Sequence, residues 1–68
     1  MSPRGWAPSG AYERRLLDMV VALVNGRDDS FAFTSEELGL ARTAGMDVET
    51  LRRELRREAF SVYVKFLL

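Results

Sequence analysis

Seven side chains between residues 42 and 56 form the densest chemical grouping in the chain: Arg42, Thr43, Asp47, Glu49, Arg52, Arg53 and Arg56. A guanidinium is planar, always charged and matched to phosphate oxygens and to the acceptor edge of guanine. A hydroxyl donates to phosphate, and a carboxylate accepts from the amino group of cytosine. The arginines among them, with Arg57, could grip phosphates, or they form a solvated face with internal pairing. Part of their charge can be met at home, because Glu49 stands four residues before Arg53 and Glu54 three before Arg57. Catalysis has little to work with. There is no histidine and no cysteine, no phosphate-cradling glycine loop, and no nucleophile with a base beside it. Asp28-Asp29 and Glu36-Glu37 are carboxylate pairs, but they fall at a turn and at a helix start, where solvation and capping account for them. A zinc site built on carboxylates alone would be unusual. We expect no enzyme, no metal and no cofactor.

The whole chain bounds these readings. Its 68 residues make one domain at most, with a core that is marginal for a lone chain. Without cysteine no disulfide can help, and the absence fits a reducing compartment. No apolar run reaches the roughly 18–20 residues of a membrane span, and "MSPRGWAPSG" lacks the apolar stretch of a signal peptide. The expectation is a cytoplasmic protein with no membrane partner. Ten basic residues balance ten acidic ones, which works against phosphate attraction. Residues 1–41 carry four basic and six acidic side chains and residues 42–68 six and four, so the second part is only mildly basic.

The elements that must position the set follow from spacing. Residues 1–8, with two prolines and a glycine, read as an extended N-terminal arm, and residues 9–68 as a single domain. Trp6 on the arm either folds back over the core or caps a partner subunit; Arg4 can reach a flanking groove. Ser9 suits an N-cap. Tyr12, Leu16, Met19, Val20, Leu23 and Val24 then recur at helical spacing, Leu17 and Val21 widen the stripe, and Asn25-Gly26 ends the helix. After the polar turn "RDDS", "FAFT" reads as a short strand with Phe31 and Phe33 on one side and Ala32 on the other. Thr34 and Glu37 form a capping box for a second helix that runs to about Ala44 and buries Leu38 and Ala41, with Leu40 as a further candidate. Gly45 ends it. Asp47 caps a third helix from Val48 to about Ala59, with Val48, Leu51 and Leu55 inward and Glu49, Arg52, Arg53 and Arg56 outward. "SVYVKFLL" alternates like a strand, with Val62, Val64 and Phe66 on one face and Tyr63, Lys65 and Leu67 on the other. The expected fold is mainly α with a small β element, in the order α-β-α-α-β: a three-helix helix-turn-helix core.

Residues 34–55 resemble the helix-turn-helix of bacterial repressors, including the lactose-repressor family. Ala41 supplies the small residue of the first helix, Ala44-Gly45 the turn, Met46 the apolar residue after it, and Thr50-Leu51 the start of the second helix's inner face. The flanking strands look like a winged-helix variant whose full wing is absent. The resemblance implies a small sequence-specific DNA-binding protein, a transcriptional regulator of phage or bacterial type, with helix 48–59 in the major groove of double-stranded DNA. Arg52, Arg53 and Arg56 would contact phosphates or guanines, and Arg42 and Thr43 the backbone. Asp47, Val48 and Glu49 occupy the base-reading positions, where the family usually carries polar or basic residues.

The strand "SVYVKFLL" leaves one edge unpaired, and an open apolar edge calls for a cover. A second copy meets that need, which gives an expected homodimer through Val62, Tyr63, Val64 and Phe66. The alternative reading is a protein-binding adaptor or assembly module with the same fold that uses this edge strand or the apolar faces.

Overall fold

Helix α1, Tyr12–Val24, follows from its apolar period: Tyr12 and Met19 are buried, and Leu16, Val20 and Leu23 pack partly buried against the same core. Its end is well specified. Gly26 adopts φ +68°, Arg27 N–H reaches back to Ala22 O at 2.7 Å, and the Asn25 side-chain amide donates to Val21 O at 2.9 Å. A computed structural model describes residues 5–8 and 10–67. The N-cap role of Ser9 and the groove contact of Arg4 lie outside the described residues. Leu17, Val21 and Val24 do not join the inner stripe; each is more than half exposed.

A single 3-10 turn, Asp28–Ser30, leads into an unpaired extended stretch. Phe31 is buried, Phe33 half-buried and Ala32 exposed, the alternation that any extended backbone imposes. The two rings meet edge-to-face at 5.1 Å, and Trp6, 1% exposed, closes over them at 5.6 Å from Phe33 and 6.0 Å from Tyr12. Helix α2, Ser35–Thr43, begins with the capping box: Glu37 N–H donates to Thr34 Oγ1 at 3.1 Å and Thr34 N–H to Glu37 Oε1 at 2.9 Å. The other oxygen of Glu37, Oε2, lies 2.7 Å from Arg15 Nε. Arg15 also donates to Ala32 O and lays its guanidinium 4.6 Å from the Phe31 ring centroid. Glu37 is the buried charged residue of the core, at 3% exposure. The pair locks α1, the aromatic stretch and α2 together.

Helix α3, Val48–Leu67, is one continuous helix of 20 residues, and this corrects the expected fold. Among the described residues there is no strand, and the architecture is three helices without a sheet. Ala59 is fully buried in mid-helix rather than at an end, continuing the stripe Leu51, Leu55, Ala59. Val62 and Tyr63 extend it half-buried, whereas Val64 and Phe66 point to solvent. No glycine or proline follows Ala59, and adding residues to a formed helix costs little, so β-branched preferences of a few tenths of a kcal/mol each do not stop it. The stretch "FAFT" consequently has no strand to pair with. Val48, expected inward, is 38% exposed. The core is thus the α1–α3 contact closed by Trp6, Phe31 and Ala41, and no helix of the described residues is long and apolar enough to cross a membrane.

Candidate nucleic-acid interface

The α2–α3 connection is built from four residues, 44–47. Gly45 takes φ +77°, and the chain reverses through Met46 N–H donating to Ala41 O at 2.8 Å and Gly45 N–H to Arg42 O at 3.0 Å. This closes the helix end as glycine-terminated helices do. Met46 then packs against the core. Asp47 starts α3: Thr50 N–H donates to its Oδ1 at 2.7 Å. That backbone bond, then the Thr50 side chain, holds the Asp47 carboxyl below its ordinary range, with the Arg53 charge adding to the effect against a desolvation cost.

The seven residues expected to contact DNA divide sharply. Arg42 and Thr43 are exposed in the last turn of α2, and the Thr43 hydroxyl donates to Gly39 O at 3.1 Å. Asp47 serves the cap. Glu49 is exposed but bonds Arg52 at 2.9 Å, rather than pairing with Arg53 one residue further on. Arg52 and Arg56 are turned toward the loop. Arg52 also donates to Phe31 O at 3.4 Å, and Arg56 lies 3.3 Å from both Asp28 Oδ2 and Asp29 Oδ1. These two arginines pin residues 28–31 onto α3, so their charge is largely answered within the chain. Arg53 is exposed and has no ion-pair partner among the described residues.

Arg57 is in the same condition as Arg53, exposed and without a partner ion, and the expected pairing with Glu54 does not form. It was not among the seven, although by type it could grip a phosphate as Arg52, Arg53 and Arg56 could. Its signal was the four-residue step from Glu49 through Arg53 to Arg57, which sets the three on one face of α3. The face is therefore carried by Arg53 and Arg57, with Glu49 at its beginning and the 92% exposed Asp29 side chain beside it.

The four residues expected at an interface between strands sit on different faces of a helix. Val62 and Tyr63 are half-buried, and Val64 and Phe66 face solvent. The expected strand edge does not exist. Leu67, placed with Tyr63 and Lys65 on the second face of that strand, has a side chain outside the described residues. Among the described residues no three histidine, cysteine, aspartate or glutamate side chains group to hold a metal ion. No family model, curated protein or solved structure matches the chain.

Proposed function

We propose that the chain binds double-stranded DNA through α3, as a small helix-turn-helix regulator. The observation that supports the reading is the tight α2–Gly45–α3 connection, which leaves the outer face of α3 free of packing with Arg53 and Arg57 exposed on it. A short glycine turn between two helices is how such modules present the second helix to a major groove. Arg53 and Arg57 supply phosphate or guanine contacts, and Arg42 and Thr43 at the end of α2 supply backbone contacts. Arg52 and Arg56 act indirectly, by fixing the loop beside the face. Glu49 reads cytosine or selects against a neighbouring base.

The test is a filter-binding series with genomic fragments at several salt concentrations. Affinity should fall steeply as salt rises, and Arg53→Ala with Arg57→Ala should flatten the dependence by roughly two phosphate contacts. An affinity that ignores both salt and the double substitution would remove the proposal.

A further inference from the structure

A molecule with no net charge carries, among its described residues, a surface where apolar side chains meet three arginines. Between the end of α1 and the middle of α3 lie two depressions that share Leu23 and Phe60. One is completed by Arg53, Arg56 and Arg57, the other by Val24 and Tyr63. They form one groove, with a recessed Leu23 floor, an apolar end and a cationic end. Val24 is 59% and Phe60 57% exposed. No carboxylate lines either depression. Arg56 is answered by Asp28 and Asp29, but Arg53 and Arg57 have no ion-pair partner among the described residues. The apolar end runs on outward, to Val21 and Leu17 one and two turns back along α1 and to Val64 one turn along α3, all exposed.

We propose that this groove docks an acidic amphipathic helix of another protein. A bulky apolar side chain of that helix enters between Val24, Phe60 and Tyr63, and carboxylates about one turn away meet Arg53 and Arg57. Helix-in-groove recognition works through such anchors at helical spacing, and charges around the anchor set orientation and exclude wrong partners. Charge complementarity selects this occupant over the others. A two-fold pair of this chain joins the groove to itself and brings no carboxylate to either arginine from the groove. DNA satisfies the arginines and leaves the apolar end in water. A lipid surface meets protruding side chains, whereas Leu23 lies recessed between two helices. The helix and DNA share Arg53 and Arg57, and the two readings are told apart at Val24 and Tyr63, which lie outside the proposed DNA contacts.

The experiment is a selection from a displayed library of helical peptides against the full chain, followed by binding titrations of the enriched peptides. Enriched sequences should carry Asp or Glu beside Leu, Phe or Trp at helical spacing. Phe60→Asp and Val24→Asp should each weaken them roughly tenfold or more while circular dichroism remains that of the parent. Arg57→Glu should reverse the preference toward peptides with lysine in place of glutamate. Any DNA affinity should survive Val24→Asp, whose depression holds none of the arginines, so the two proposals fail independently. No enrichment, enrichment of basic peptides, or affinities indifferent to Val24 and Phe60 would overturn the proposal. So would binding to phosphatidylserine vesicles in place of peptides, or a dimer in sedimentation that Phe60→Asp dissolves.

Discussion

At the scale of single residues, Gly45 and Glu37 show how differently two positions constrain the chain. Gly45 stands in the left-handed region at φ +77°, and a Cβ added there would meet no atom within 4 Å. The constraint is conformational, not steric crowding. Gly45→Val should therefore destabilise by about 1–3 kcal/mol and Gly45→Asn by less, since asparagine tolerates this region; thermal melting of both variants checks the order. Glu37 is constrained by its partners. Glu37→Ala removes the reciprocal cap and leaves Arg15 with the more exposed Asp18, 3.1 Å away, as its remaining anion, at a cost of roughly 2–4 kcal/mol. Urea unfolding of Glu37→Ala, Arg15→Ala and the double variant should show a coupling between them; additive losses would mean that the two side chains act separately. Asp47 adds a pH dependence. Its carboxyl is depressed in the folded state, so its contribution is present above its ordinary pKa and is lost as pH falls through the lower folded value. Asp47→Asn should reduce the acid sensitivity of the melting temperature in that window, and an unchanged acid profile would show that the cap does not depend on the charge.

At the scale of elements, what the sequence made legible was whatever depends on neighbours a few residues away. The capping box of Thr34 and Glu37, the glycine stops at Gly26 and Gly45, and the Asp47 cap are local hydrogen-bonding problems with local answers. The alternation of Phe31 and Phe33 against Ala32 was legible for the same reason. The strands were not, because a strand is a relation between two segments, and "SVYVKFLL" alternates in apolarity while also continuing the four-residue step Leu51, Leu55, Ala59. Length decided the outcome: the helix was already formed, and no breaker interrupted it. The arginines divided for a related reason. Helical spacing marks Arg52 and Arg56 as outward from the inner stripe, but the loop that folds down upon them, through Phe31 O, Asp28 and Asp29, is a tertiary event. Two expectations follow. Ser61→Pro should cost about 3 kcal/mol by breaking α3 in its interior, with a loss of helical ellipticity; an unaltered spectrum would contradict a continuous helix. Arg52→Ala with Arg56→Ala should destabilise by roughly 1–2 kcal/mol, because exposed pairs and one long charge-assisted bond are each weak. A double variant as stable as the parent would mean that the loop stays seated without them.

At the scale of the whole molecule, a chain of this size has little stability to lose, on the order of 3–10 kcal/mol by the usual per-residue range. The absence of strands among the described residues removes the open edge on which the expected second copy rested, and within the chain stability comes from the three helices and what closes them. Trp6 is a principal closure. It precedes α1 by six positions, yet it is 1% exposed and meets the rings of Tyr12, the first residue of that helix, and of Phe33 beyond it. Trp6 is itself part of the folded core. Removing a buried tryptophan side chain typically costs 3–5 kcal/mol, a large share of the total. Trp6→Ala, and equally a chain shortened to begin at Ala11, should be substantially unfolded near 37 °C, with reduced far-ultraviolet ellipticity and a broad, early melt. Trp6→Phe should retain most of the stability, since an aromatic ring can still meet Phe33 and Tyr12 edge-on. In the parent the indole fluorescence should be blue-shifted, as a desolvated ring requires, and should shift red in the same temperature interval in which the helices melt. A tryptophan signal that reddens well before the helices unfold would show that α1, α2 and α3 hold together without it.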